Sequence, residues 1–126
     1  MSYSPFWRVL IALGGMLSVG MGAGAAHGLS HILPEQALSW IHTGVMYQLI
    51  HLAAALAVSH IASRSGKCWI IGSWLFSGSL YLMACLPAAW LEAWRSVLGP
   101  ITPIGGVILI VGWGLLYFTG MRAKSE

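Results

Sequence analysis

Four long apolar runs, separated by short polar breaks, organise the chain. They cover approximately residues 7–29, 41–62, 68–90 and 98–121, about 22–24 residues each. At 1.5 Å per helical residue, each can cross a hydrocarbon core of about 30 Å. Asp, Glu, Lys and Arg are absent from all four, apart from Arg8 at the start of the first. A charge at mid-bilayer costs at least about 2.5 kcal/mol, so this spacing is informative. Membrane strands alternate in polarity and need only about ten residues, whereas these runs are apolar all round. The pattern predicts an all-α, integral membrane, up-down four-helix bundle in a single membrane domain, residues 1–126. Short connections force each helix antiparallel to the one before.

Composition agrees. Hydrophobic residues make up 58% of the chain and charged residues 7%, against roughly 25% charged in soluble domains. Lys and Arg outnumber acids six to three. No basic patch with interleaved aromatics accompanies them, so no nucleic-acid partner is expected and the charges serve as topology signals. In the predicted topology Arg8, Arg64, Lys67, Arg122 and Lys124 share one side. Arg95, Glu35 and Glu92 share the other. The positive-inside rule then places both termini in the cytoplasm. Trp7 and Trp69 fall at the inner boundary, and Trp40, Trp90 and Trp94 at the outer one, as an aromatic belt requires. Trp74 and Trp113 lie too deep for a belt. A cleavable signal peptide over residues 1–26, ending at Ala23-Gly24-Ala25, is the competing reading of the first run. Its apolar stretch is long for that purpose, and such a site arises easily in any Gly/Ala-rich helix.

Polar residues inside the runs are the candidate chemistry. Tyr47, Gln48 and His51 can share one helix face, since they stand three or four residues apart. Ser77, Ser79 and Tyr81 sit in the third run, and Thr102 is a candidate N-cap opening the fourth, with Pro103 in its first turn. His27 closes the first run. The topology gathers these eight toward the outer half of the bundle, as a hydrogen-bonded core or a polar pocket. Ser77 lacks the elbow and embedded carboxylate of a catalytic serine. The five histidines lack the matched depths of a bis-histidine haem and the second-shell carboxylates of zinc. No catalytic residue, metal or cofactor is therefore expected. Cys68 and Cys85 form no disulfide framework, and Cys85 reads as a small packing residue. Gly20, Gly24 and Gly28, four apart, form a bare stripe for close helix packing, and Gly105 and Gly106 open the last helix to the same purpose.

Four segments, in order, carry a resemblance. They are Gly22-Ala23-Gly24-Ala25-Ala26-His27-Gly28-Leu29, Thr43-Gly44-Val45-Met46-Tyr47-Gln48-Leu49-Ile50-His51, Leu75-Phe76-Ser77-Gly78-Ser79-Leu80-Tyr81, and Gly99-Pro100-Ile101-Thr102-Pro103-Ile104-Gly105-Gly106 followed by Gly112-Trp113. Together they resemble the DUF423 family of small bacterial inner-membrane proteins, which is similar to transmembrane protein 256. The resemblance implies four membrane helices and no established activity. The chain departs from it at Gly24-Ala25, where a bulky aromatic followed by Gly is usual, and at Met46, where a basic residue is common.

Small size, minimal loops and glycine-lined faces point to a non-enzymatic accessory or assembly subunit of a larger membrane complex in the bacterial inner membrane, or to self-association. The alternative is a small-molecule binder or transporter using the outer polar pocket.

Overall fold

A computed structural model describes residues 3–122. Lys124 of the basic set lies outside the described residues, as does the side chain of Arg122. The fold is all-α, with α1 at Pro5–Ala26, α2 at Glu35–Ala57, α3 at Ser63–Cys85 and α4 at Ala88–Arg122. A single 3₁₀ turn, Leu29–His31, lies between α1 and α2. The four helices pack side by side. By length and apolarity α1, α3 and α4 can each cross a membrane. The α2 helix is less apolar, carrying His42, Thr43, Tyr47, Gln48 and His51.

The helix ends differ from those the apolar runs suggest, for local reasons. Pro5 opens α1, where its missing N–H costs nothing. The α2 helix starts at Glu35 rather than 41, because Pro34 takes the cap position and the Glu35 carboxylate meets the positive end of the helix dipole. The α3 helix runs five residues earlier than residues 68–90. Pro87 forces the residue before it into extended backbone, and Leu86 adopts φ −71° and ψ 139°. The largest difference is α4, which begins at Ala88 instead of 98 and continues through Pro100 and Pro103. Each proline keeps a helical φ but deprives a carbonyl one turn earlier, at Ser96 and Gly99, of its donor. Thr102 is therefore mid-helix and caps nothing. With 35 residues, α4 is about 52 Å long, well beyond the hydrocarbon thickness.

The α3 helix is central, broadly packed against both α2 and α4, while α1 leans mainly on α2. Ser79 faces Thr102, Gly72 faces Leu109 and Trp69 faces Gly112, which fixes α3 and α4 as an antiparallel pair. Gly105 is required here. A β-carbon on it would collide with the Phe76 backbone and stand 3.0 Å from the Gly72 carbonyl oxygen. Gly106 only grazes the Phe76 ring, at 3.7 Å.

The stripe on α1 behaves otherwise. Nothing lies within 4 Å of a β-carbon built on Gly20 or Gly28, and one on Gly24 meets only Leu29 of the following turn. The α1 helix ends at Ala26, so Gly28 is outside it. Its buried face is instead Ile11, Gly14, Ser18 and Ala25. The seat of close packing on α1 is Gly14, where a β-carbon would come 2.7 Å from Leu52 Cδ1.

Two apolar clusters form the core. One gathers Ile11, Leu52, Ala55, Trp69, Ile70 and Leu109. The other gathers Ala25, Ala37, Ile41, Tyr81 and Ala84. Trp69 belongs to the first cluster and is wholly buried. Cys85 is exposed at the end of α3 rather than packed. Tyr3 anchors the chain ahead of α1 by donating from its hydroxyl to the Ala55 carbonyl at 2.8 Å. Burial pushes the Tyr3 phenol above the ordinary tyrosine range.

Candidate functional site

Between the two apolar clusters lies a layer of buried polar side chains. Gln48 of α2 is its hub. Its amide oxygen accepts from Ser18 of α1 at 2.8 Å and from Tyr81 of α3 at 3.1 Å. The Ser18 hydroxyl also stands 2.9 Å from the Gly14 carbonyl, so its single proton is shared between two acceptors. Ser77 of α3 donates to the Gly44 carbonyl of α2 at 2.7 Å. Gly44 is glycine for a reason: a β-carbon there would stand 2.7 Å from the Tyr81 ring as it passes to reach Gln48. The Gln48 amide nitrogen is buried and has no partner among the described residues.

A separate rung joins α3 to α4. Ser79 Oγ lies 2.9 Å from the Phe76 carbonyl and 2.6 Å from Thr102 Oγ1. When Ser79 donates to the carbonyl, Thr102 donates to Ser79, and both hydroxyls are satisfied. Trp74 of α3 donates to the Leu10 carbonyl of α1 at 3.1 Å, which explains one of the two deep tryptophans.

Trp113 explains the other. Its indole N–H donates to His51 Nε2 at 3.2 Å. An indole nitrogen can only donate, so Nε2 must be the acceptor and the ring proton resides on Nδ1. Nδ1 lies 2.7 Å from the Tyr47 carbonyl and donates to it. His51 is thus held as one neutral tautomer with both nitrogens engaged. Trp113 also packs on Trp69 at 4.4 Å between ring centroids.

The His51–Trp113 bond spans from α2 to α4 and leaves a lateral groove beside it of about 420 Å³. Tyr47, Phe76, Trp113 and Gly106 are among its walls. Tyr47 stacks on His51 at 5.9 Å and 17°, and meets Phe76 at 4.6 Å and 34°. Its hydroxyl makes no hydrogen bond among the described residues, and the residue is 38% exposed.

The eight polar residues predicted together therefore fall into three sets and an outlier. Gln48, Ser77 and Tyr81 join α2 and α3, Ser79 and Thr102 join α3 and α4, and Tyr47 and His51 line the groove. His27 is exposed beyond the end of α1. Sequence reasoning passed over Ser18, Trp113 and Phe76. The depth of Trp113 in an apolar run was the signal for it, because a mid-membrane indole N–H needs an acceptor. His31, His42 and His60 are exposed. Among the described residues, no three His, Cys, Asp or Glu side chains come together as metal ligands would.

A family model described as "Protein of unknown function (DUF423)" matches residues 21–106. A UPF0382 membrane protein of Haemophilus influenzae is 46% identical over 126 residues, covering 94% of this chain and 96% of that one. The UPF0382 inner membrane protein YgdD of Escherichia coli K12 is 35% identical over 131 residues, covering 98% and 95%. A UPF0382 membrane protein of Schizosaccharomyces pombe, C1782.12c, is 41% identical over 117 residues, covering 87% and 96%. No solved structure matches the chain. The similarity extends over nearly the whole length, and on that ground the chain belongs to the DUF423 family of UPF0382 membrane proteins.

Proposed function

We propose that this chain is a non-enzymatic accessory subunit that docks on a larger assembly in the bacterial inner membrane, with both termini in the cytoplasm. The carrying observation is the outward stripe of α1. Among the described residues no helix stands against Gly20, and Gly24 meets only Leu29 of the following turn. A bare glycine gains little from lipid, whereas membrane helices use small residues four apart to bring another helix close. The polar side chains of the interior support the non-enzymatic part of the reading, since most already bind one another. Arg8, Arg64 and Lys67 near one end of the bundle, with Glu92 and Arg95 near the other, support the orientation.

Purification in mild detergent from the native membrane tests this, comparing the wild type with a Gly20→Leu/Gly24→Leu form. The position at Gly20 is open, whereas at Gly24 the Leu29 side chain, 3.2 Å away, must give, so Gly20→Leu alone is the control that leaves the fold untouched. The expected result is a stoichiometric membrane partner that accompanies the wild type and is lost from the variant. A chain that purifies alone in both forms contradicts the reading.

The groove favours a second reading, a binder of small lipid-soluble molecules. Its support is the Tyr47 hydroxyl, which has no partner within the described chain.

A further inference from the structure

We propose that the groove between α2 and α4 binds a neutral, lipid-soluble molecule whose flat ring carries a carbonyl oxygen, a ligand of the quinone class. The inference rests on the second reading above and is independent of docking along α1.

Depth narrows the ligand first. Tyr47 lies twelve residues from Glu35 and ten from Ala57, the ends of α2. That is about 18 Å and about 15 Å along the axis, close to mid-height of the helix. Phe76, packed on Tyr47, lies in the interior of α3, which is long and apolar enough to cross a membrane. Phospholipid headgroups and ester carbonyls at the interfaces are therefore remote, and the acceptor for this phenol is a molecule dissolved in the hydrocarbon itself. Leaving a hydroxyl without a partner there is costly, and a bound acceptor relieves that cost.

The walls supply shape. Tyr47 and Phe76 pack on one another at 4.6 Å and 34°, so the open aromatic surface beside the groove is that of the Trp113 indole, 47% exposed. Aromatic faces of this kind accept a flat ring by offset stacking. The polar content supplies the rest. His51 has both nitrogens engaged, and the Trp113 N–H is committed to it. Tyr47 is then the free donor, and no Asp, Glu, Lys or Arg lines the groove. One donor without a charge selects a neutral molecule with an acceptor.

Gly106, one of the residues lining the groove, helps to keep it open. A glycine in a helix interior costs about 1 kcal/mol relative to alanine. At Gly105 the Phe76 backbone explains that cost, but at Gly106 the nearest atom to a built β-carbon is 3.7 Å away, an ordinary contact. Packing does not demand glycine there. What the missing side chain does is leave the groove open.

Duroquinone and durene, which share one methylated ring and differ in the two carbonyls, are the probes. Each is titrated into the full chain in lipid nanodiscs, and the unfolding midpoint is followed by circular dichroism, since a ligand of the folded state raises it. Duroquinone is expected to raise the midpoint of the wild type at concentrations about tenfold below those durene needs. Tyr47→Phe should raise the duroquinone requirement about five- to tenfold, the loss of one hydrogen bond. Gly106→Leu, which fills the groove, should abolish the shift. If that variant fails to fold, Ile110→Trp narrows the groove from its exposed side and serves instead. Groove-dependent shifts of equal size for both probes, or a Tyr47→Phe form that responds like the wild type, overturn the carbonyl assignment while leaving a groove binder standing. No shift of the wild type with either probe overturns both.

Discussion

Tyr47 and Gln48 are neighbours on one helix and meet opposite conditions. Gln48 is wholly buried, and its amide oxygen ties α1 and α3 to α2. Tyr47, about 100° further round α2, faces a groove, and its hydroxyl has no partner among the described residues. Each side chain carries spare hydrogen-bonding capacity, since the Gln48 amide nitrogen is also unpartnered. The difference lies in access. The Gln48 nitrogen is sealed beside Leu52 and Trp74 under Gly14, where nothing can reach it. Tyr47 lines an open groove and is 38% exposed. In hydrocarbon a polar atom must find its partner inside the molecule or on something that joins it. The closed layer takes the first course for the Gln48 oxygen and leaves its nitrogen bare, whereas the groove is open to the second.

The two adjacent glycines of α4 offer the sharpest way to break this comparison. Gly105→Ala drives a methyl into the Phe76 backbone on the closed seam, and a loss of about 3 kcal/mol or more in unfolding free energy is expected. Gly106→Ala, one residue along, meets only ordinary contact and should be neutral or stabilising by up to about 1 kcal/mol through helix propensity. Reversible unfolding in mixed micelles measures both. A similar loss at the two positions would mean that the groove side is packed after all.

A smaller effect sharpens the seam itself. Ser79→Ala and Thr102→Val remove the two ends of one rung. Their double-mutant cycle should yield a coupling of about 0.5–1.5 kcal/mol, the usual range for hydrogen bonds between membrane helices. A coupling near zero would mean that Ser79 relies on the Phe76 carbonyl alone.

Much of this fold was legible in the hydropathy of the chain, because four apolar runs with short breaks leave few arrangements. The helix ends were not. Apolarity marks contact with lipid, whereas a helix needs only backbone hydrogen bonds, so polar turns such as Glu35 to Trp40 and Ser63 to Lys67 are helical too. Pro100 and Pro103 read as a helix start because proline is most at home there, yet contact with α3 carries α4 through them. Of the polar residues, Gln48, Ser77 and Tyr81 were identifiable by depth, but depth says nothing of rotation. Ser79 turns to α4 and Ser77 to α2, although they are two residues apart. The glycines teach the same lesson in reverse. Spacing singled out Gly20, Gly24 and Gly28, while the close approaches among the described residues fall at Gly14, Gly44, Gly66, Gly72, Gly105 and Gly112, of which only Gly105 was expected.

The most direct test of the contrast is to measure Gln48→Met and Tyr47→Phe side by side for unfolding free energy in the same lipid. Gln48→Met keeps the volume and strips Ser18 and Tyr81 of their common acceptor, so a loss of about 1–3 kcal/mol is expected. Tyr47→Phe removes a hydroxyl bound to nothing in the described chain, so a change within about 0.5 kcal/mol is expected. Equal losses would contradict the account, by showing that the Tyr47 hydroxyl is as much a part of the bundle as the amide beside it.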